Sequence, residues 1–227
     1  MRARVDPLTA GARAWHRGFV VVELRLRGRG TMATMNKRPE KTKQTKADLR
    51  QGFWRLYEKM PIEKITVARV CEEAGYNRAT FYTHFCDIYD LLSSIESDML
   101  SKMLACVERC LKSLSGGKVA KTRAMGEVVL FYETNRTVIG PLLGEQKDPA
   151  FIECLKSELK PLWRTYVIGE DTGRSDAEID LILESALSGS LNMIGQWIRK
   201  PASITPTQLA RLIYDTAIRD VSKRASA

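Results

Sequence analysis

The sequence predicts an all-α protein, and three observations carry that prediction. Apolar residues recur at helical spacing after Thr45, no stretch of six residues alternates convincingly between apolar and polar side chains, and proline, glycine and capping residues separate the helical segments. Apolar residues make up 44% of the 227 residues, which is enough to build a sizeable core. No internal repeat divides the chain.

The first helix is predicted over residues 45–60, where apolar residues share one face and Pro61 ends the run. Thr66 is expected to be the N-cap of a second, short helix over Val67–Ala74. Gly75 is expected to end that helix in the left-handed conformation that glycine adopts most easily.

Asn77 is predicted to cap a third helix over residues 78–85. Asp87, with Asp90 three residues later, resembles a capping box and opens a long helix over residues 88–114. Further helices are predicted over residues 120–133, 138–143, 149–167, 177–197 and 206–221.

Two of the later helices have strong start signals. Ser175 is followed by Glu178, and Thr205 by a proline and Gln208, so a reciprocal capping box is expected at each start. Pro161 is predicted to kink or split the helix that contains it.

The net charge of +9 is concentrated at the N-terminus. Residues 1–46 hold twelve Lys or Arg against three acidic residues, while the remainder is balanced. Residues 1–36 are predicted to be a disordered basic extension, or an upstream reading-frame artefact with synthesis starting at Met32 or Met35. Such an arm is often only a solvated tail, but beside a DNA-reading helix it would supply phosphate contacts.

The cysteines indicate a cytoplasmic protein. There are five, an odd number without CxxC spacing, in a chain too long to need disulfides. Cys106 and Cys110 share a helical face; a thiol sensor is one interpretation, and small buried hydrophobes are the favoured one. No apolar run is long enough to predict a membrane span.

Catalysis and metal binding find little support in the sequence. The chain contains no GxSxG, HExxH or GxxxxGK[ST] pattern. Its two histidines, His16 and His84, and its scattered cysteines lack the spacing of metal ligands. We therefore expect a protein that is not an enzyme and has neither a metal nor a cofactor.

The second and third helices, joined at Gly75, have the size and spacing of a helix-turn-helix. Phe81 and Phe85 form an apolar pair that would anchor the third helix, which leaves its polar side free for the major groove of DNA. Arg78 suits the O6 and N7 atoms of guanine, and Ala79 suits a thymine methyl group. Thr80, Tyr82 and His84 suit phosphate oxygens.

The segment I-T-V-A-R-V-C-E-E-A-G-Y-N-R-A-T-F-Y-T-H-F resembles the TetR/AcrR family of bacterial transcriptional regulators. The resemblance spans residues 44–92, and C-D-I-Y-D-L-L at 86–92 extends it. It implies an N-terminal three-helix helix-turn-helix DNA-binding domain, residues 37–92, and a C-terminal helical ligand-binding and dimerisation domain, residues 93–227. It also implies phosphate contacts from Thr66, Asn77, Thr80, Tyr82 and His84, and base contacts from Arg78, Ala79 and Thr83.

One departure from the family concerns charge. Family members often carry lysines just after the recognition helix, where this chain has Cys86 and Ile88. Residues 47–101 hold six basic and nine acidic side chains, so phosphate attraction must come from elsewhere. We expect a compensating cluster consisting of Lys37, Arg38, Lys41, Lys43 and Lys46.

The C-terminal helices are expected to bury one side in the domain and the other in a twin subunit. The helix over residues 177–197 is apolar on more than one face, and the last helix would complete a four-helix contact of a homodimer. Close approach of the two subunits is expected at Ser185, Ser188, Gly189, Ser190 and Gly195.

Candidate residues for an effector pocket are aromatic or soft side chains, for which an ordinary core is the more common role. They are Phe131, Tyr132, Trp163, Tyr166, Met193 and Trp197. The leading hypothesis is thus a homodimeric, effector-responsive repressor on a palindromic double-stranded DNA operator; activation stays open. The alternative is a helical adaptor that uses the helix-turn-helix to bind protein.

Overall fold

The computed structural model describes residues 38–114, 116–144, 148–169, 173–200, 204–219 and 221. The predicted extension at 1–36 lies outside these residues. The described part contains helices and no strand, which confirms the all-α prediction. The helices are α1 (Arg38–Tyr57), α2 (Val67–Ala74), α3 (Arg78–Tyr82), α4 (Ile88–Ser113), α5 (Lys118–Leu143), α6 (Pro149–Trp163), α7 (Asp176–Arg199) and α8 (Pro206–Ile213).

The chain divides into two compact units, the first ending at Ser97 and the second beginning at Asp98. This division falls within α4, a few residues beyond Leu92, where the sequence analysis ended the first domain. The first unit contains α1, α2, α3 and the start of α4, and a 3-10 turn at Ile62–Lys64 follows α1.

The helix boundaries of the first unit follow the predicted caps. The Thr66 hydroxyl oxygen accepts a hydrogen bond from the Arg69 N–H, and Gly75 has φ 73°. Asn77 Oδ1 accepts from the Thr80 N–H at 2.8 Å. At the start of α4, Asp87 Oδ1 accepts from the Asp90 N–H at 2.8 Å. These contacts confirm the predicted starts of α2, α3 and α4.

Three predicted boundaries in the first unit were wrong, and one of them is the end of α1, which lies at Tyr57 rather than at residue 60. Helix α1 begins at Arg38 rather than Thr45, and the acidic Glu40 in its first turn is favourable there. Helix α3 ends at Tyr82, although the N–H groups of Thr83 and Phe85 still bond to carbonyls four residues earlier.

The core of the first unit is built on the apolar face of α1. Leu49 and Phe53 are fully buried there, as is Phe81 of α3. At Gly52, α1 approaches α2 so closely that an added Cβ would lie 3.0 Å from the Cβ of Ala74. This contact fixes the spacing of the two helices, and α2 in turn sets the start of α3.

Helix α5 corrects the prediction of two helices separated near residues 134–137, because it runs without a break. The Thr134 hydroxyl donates to the Leu130 carbonyl and the Asn135 amide donates to the Phe131 carbonyl. These side chains bond back onto their own helix and so do not interrupt it.

Helix α6 remains α-helical through Pro161 and then widens into a π-helical turn at Arg164–Ile168. The capping boxes predicted at Ser175 and Thr205 are both present. A second π-helical turn, Tyr214–Arg219, follows α8.

Part of the close-approach prediction for α7 was wrong. Ser190 is buried and donates to the Ala186 carbonyl, and a Cβ at Gly195 would lie 2.8 Å from the Leu143 carbonyl oxygen of α5. These two residues therefore pack inside their own subunit. Ser185, Ser188 and Gly189 are exposed.

Candidate nucleic-acid interface

Helix α3 separates an apolar inner side from a polar outer side. Phe81 is fully buried and Phe85 nearly so, with their rings 5.7 Å apart. Arg78 and Ala79 are exposed, and 59% of Tyr82 is accessible. Because the anchor and the accessible side chains point in opposite directions, the outer side chains are not needed for the core.

The two capping residues retain hydrogen-bond donors on the surface. The contact at Thr66 uses only a lone pair of its oxygen, so the hydroxyl hydrogen can be donated to another acceptor. The contacts recorded at Asn77 use Oδ1, and its side-chain NH₂ is a donor in the same exposed position. Both residues therefore combine a local structural role with the donor chemistry that phosphate oxygens require.

The hydroxyl groups of Thr80 in α3 and of Thr83, its C-cap, are engaged locally. Thr80 Oγ1 donates to Asn77 Oδ1 at 3.0 Å, and Thr83 Oγ1 donates to the Ala79 carbonyl at 2.9 Å. To bond to a phosphate, Thr80 must give up its contact with Asn77. Thr83 is exposed, and it can offer its methyl group or an oxygen lone pair while keeping its own bond.

His84 is half-buried at the end of this surface, with its ring 6.5 Å from that of Phe85. The ring therefore lies beside the core while part of the side chain stays accessible. All the predicted residues between Asn77 and His84 thus lie on one short segment, and Thr66 lies at the start of the preceding helix.

Hydrogen bonds from α1 reach the turn before α3 and the following helix α4. The Tyr76 hydroxyl donates to Asp48 Oδ2 at 2.7 Å, and Gln44 Nε2 donates to the other carboxylate oxygen. Arg50 donates to both the hydroxyl and the carbonyl of Ser94. These positioning residues were not among the sequence predictions, because no local pattern predicts a contact between residues that lie 28 or 44 positions apart.

The basic residues expected to compensate for the acidic domain lie in part on α1. Lys41, Lys43 and Lys46 are exposed there. Lys37 lies outside the described residues, and Arg38 begins the helix. The helical start at Arg38 places the three exposed lysines on an ordered element rather than on a flexible arm.

The second unit contains two adjoining apolar cavities of about 150 and 170 Å³. Phe131, Tyr132 and Trp197 line the smaller cavity and Trp163 the larger. Met193 lines neither, and Tyr166 is exposed with Lys112 5.8 Å above its ring.

A cysteine lies in the wall of each cavity, and burial raises the pKa of both thiols. Cys106 lines the smaller cavity, and Cys110 lines the larger with its pKa raised to about 11 by burial and by the neighbouring Cys106. The thiolate is the reactive form, so these cysteines have the character of small apolar residues. The raised pKa values therefore support the interpretation of Cys106 and Cys110 as small buried hydrophobic residues over their interpretation as a thiol sensor.

Neither a cluster of metal ligands nor a membrane-spanning helix occurs in the described part of the chain. No group of three or more His, Cys, Asp or Glu side chains among these residues is placed to hold a metal ion. None of the helices described combines the length and apolar character that crossing a membrane requires.

The known proteins that this chain resembles are described as transcriptional regulators. A family model described as a transcriptional regulator C-terminal region, TetR_C_8, matches residues 124–219. The probable HTH-type transcriptional regulator ArpR of Pseudomonas putida is 24% identical over 182 residues, which cover 73% of this chain and 85% of ArpR.

Two solved structures share the fold. A TetR transcriptional regulator from Streptococcus agalactiae 2603V has a TM-score of 0.57 and 22% identity, covering 80% of this chain and 98% of its own. The dihydroxyacetone kinase operon activator DhaS has a TM-score of 0.55 and 14% identity, covering 79% of this chain and 97% of its own. The shared architecture is a helix-turn-helix followed by a C-terminal helical domain, as predicted.

Proposed function

We propose, from the premise that this chain belongs to the TetR family of transcriptional regulators, that it is a homodimeric repressor in the bacterial cytoplasm. In this proposal it binds a palindromic DNA operator through α2 and α3, and a small-molecule effector in the second unit releases it. The operator contacts come from Lys46, Thr66, Asn77, Arg78, Ala79, Thr80, Tyr82, Thr83 and His84.

The observation that carries the proposal is the division of α3 into a buried anchor and an accessible polar side. Phe81 contributes fully to the core, while Arg78 and Tyr82 are exposed. In a helix-turn-helix the second helix lies in the major groove, where an arginine can form a fork with guanine. Tyr82 and the two capping residues have donors that suit the flanking phosphates.

An exposed stripe on α7 supports a dimer. Leu181 is 70% exposed, and Ser185, Ser188 and Gly189 follow it on the same side of the helix. Leu212 of α8 is 44% exposed. Small residues beside exposed leucines suit a close contact between two copies, and a two-fold dimer matches a palindromic site with half-sites about 34 to 36 Å apart.

Effector control is supported by the position of the cavities. Helix α4 carries Ser94, which accepts hydrogen bonds from Arg50 in the first unit, and also Met103 and Cys106, which line cavities in the second. In this proposal a ligand in the cavities acts on the first unit through α4, which continues from one unit into the other. Decisive release requires a difference of several kcal/mol, about 5.5 kcal/mol for a complete switch.

Activation is the second candidate function, because the structurally similar DhaS is described as an operon activator. A reporter gene placed behind the selected operator would distinguish the two. Deletion of the regulator should raise expression for a repressor and lower it for an activator.

The test is selection of genomic DNA fragments by the purified 227-residue protein, with an Arg78→Ala, Tyr82→Ala double variant in parallel. We expect the wild type alone to enrich one palindromic sequence. Circular dichroism of the variant should match that of the wild type, because both side chains are exposed. Absence of any enrichment at low salt would reject DNA binding and favour a protein-binding adaptor.

A further inference from the structure

The two cavities of the second unit are both lined by α4, α5, α7 and α8 and share part of their walls, and α6 lines only the larger. Six of the described residues line both: Met103, Val107, Val128, Ile194, Ala210 and Ile213. The smaller cavity continues towards Phe131 and Trp197, and the larger continues towards Leu155 and Trp163. They are therefore two compartments on either side of a common partition.

The size of each compartment limits what it can hold. An apolar cavity of about 150 Å³ accommodates one benzene-sized molecule. The compartments measure about 150 and 170 Å³, so each has room for one ring of that size. Together they reach the lower end of the range for small-molecule pockets, which begins at roughly 300 Å³.

The partition contains a residue that can change conformation at low cost. Met103 is unbranched, and a methionine side chain adapts its shape to its neighbours more readily than a branched one. Movement of this side chain would open part of the partition, whose other shared residues are branched or small.

The walls of both compartments are unfavourable for an ion. None of the described residues lining either compartment is charged. The indole N–H of Trp197 donates to the Ile204 carbonyl and the Ser190 hydroxyl donates to the Ala186 carbonyl, so these donors are already used. Burying an unpaired charge against such a wall would be strongly unfavourable.

From these features we infer that the second unit binds an uncharged molecule with two apolar lobes, each about the size of one aromatic ring, one in each compartment across Met103. This inference specifies the chemical class of the proposed effector. Only its regulatory role, the release of DNA, rests on the proposed function. Ligand binding itself does not depend on DNA, so the two can fail separately.

The test uses fluorine NMR with the full chain and three probes: fluorobenzene, a monofluorinated biphenyl, and the same biphenyl carrying a carboxylate. We expect the neutral biphenyl to bind one per chain and the carboxylate to bind weaker by about tenfold or more. Fluorobenzene should occupy two sites per chain. Equal binding of the neutral and charged biphenyls, or no binding of the neutral one, would overturn the inference.

Variants on α4 address each compartment separately. Cys106→Leu narrows the smaller one and Cys110→Leu the larger, and each should weaken biphenyl binding by about tenfold or more because the added atoms need the same space. The matched variants Cys106→Ala and Cys110→Ala remove atoms and should retain binding. Loss of biphenyl binding in only one of the two leucine variants would overturn the two-compartment arrangement.

Two further outcomes keep the result decisive. If a leucine variant does not fold, the neutral and charged probes on the wild type still test the inference. If biphenyl binds but a selected operator fragment stays bound to the protein, effector control by this class of molecule fails and the ligand class stands.

Discussion

In the first unit the side chains proposed to contact DNA lie outside the core. In the second unit the side chains proposed to contact a small-molecule effector belong to the core itself. Arg78 and Tyr82 are exposed on α3, while Trp163 and Trp197 are buried between helices. Stability and binding should therefore be separable by substitution in the first unit and coupled in the second. Substitutions in both units test this difference, from the largest expected effect to the smallest.

The largest effect is expected from Phe81→Ala. Phe81 is fully buried, so its removal should lower the free energy of unfolding by about 3 to 5 kcal/mol. The neighbouring Tyr82→Ala, which removes a 59% exposed side chain, should change that free energy by about 0.5 kcal/mol or less. Urea unfolding of both variants measures this, and similar decreases in the two would mean that the outer side of α3 is also part of the core.

The next largest effect is expected from substitution in the exposed stripe on α7, and the property affected is the stability of the proposed dimer. Gly189→Arg should weaken the proposed dimer by about 2 kcal/mol or more, because it would place an unpaired charge in a close contact. Gly126→Arg on α5 is the matched control, since a Cβ at either glycine meets nothing within 4 Å among the described residues. Light scattering after gel filtration would show a monomer for Gly189→Arg alone; a dimer in both would place the contact elsewhere.

Arg78→Ala should lower operator affinity by about 1 to 3 kcal/mol, the range of one bidentate arginine contact to guanine. The decrease should come with relaxed preference at one base pair and with unchanged unfolding. Arg199→Ala, which replaces an exposed arginine of α7, is the control and should leave affinity unchanged. Fluorescence anisotropy at fixed salt measures both, and equal decreases would indicate that the effect is only general electrostatics.

The parts of the fold that the sequence predicted correctly are local. Thr66, Asn77 and Ser175 each bond to a backbone N–H three residues later, and Gly75 adopts its conformation for a reason contained in the residue itself. Such features can be deduced because sequence separation and spatial distance coincide. The DNA-facing residues of α3 could be proposed for the same reason.

The parts that the sequence did not predict depend on distant residues. The hydrogen bond between Tyr76 and Asp48 joins residues far apart in the chain, and no sequence pattern near either residue predicts it. The cavities are formed by residues of α4, α5, α6, α7 and α8, so candidates chosen by side-chain type alone included Tyr166 and Met193, which line neither cavity. Residue type identifies what suits a pocket, but only packing decides which residues form one.

The lysines of α1 should have a smaller effect on operator affinity, and the size of that effect should depend on the salt concentration. Replacing Lys41, Lys43 and Lys46 with Gln should reduce the slope of log affinity against log salt by about one for each phosphate that a lysine no longer neutralises. Because α1 begins at Arg38, this substitution tests the charges without removing the first turns of the helix, as deletion of residues 1–44 would. An unchanged slope would show that these lysines do not contact phosphate.

The smallest effect is expected at a charged cluster between α6 and α7. Glu184 accepts hydrogen bonds from Lys156 at 2.5 Å, from Lys160 at 3.0 Å and from Ser188, and these bonds lower its pKa to about 2. A lowered pKa means that the carboxylate stabilises the fold above its unfolded pKa of about 4.5 and loses that contribution as the pH falls towards 2.

Glu184→Gln should therefore lower the free energy of unfolding at pH 7 by about 1 kcal/mol or less, since the carboxylate is partly exposed to solvent. The difference from wild type should shrink between about pH 4.5 and 2, because protonation removes the same charge that the substitution removes. Glu153→Gln, which removes the more exposed partner of Lys156, should cost less at pH 7. Urea unfolding across this pH range measures the difference. A difference that stays constant with pH would mean that Glu184 acts through shape and hydrogen bonding rather than through its charge. This cluster would then stabilise the second unit in the same way as the apolar core beside it.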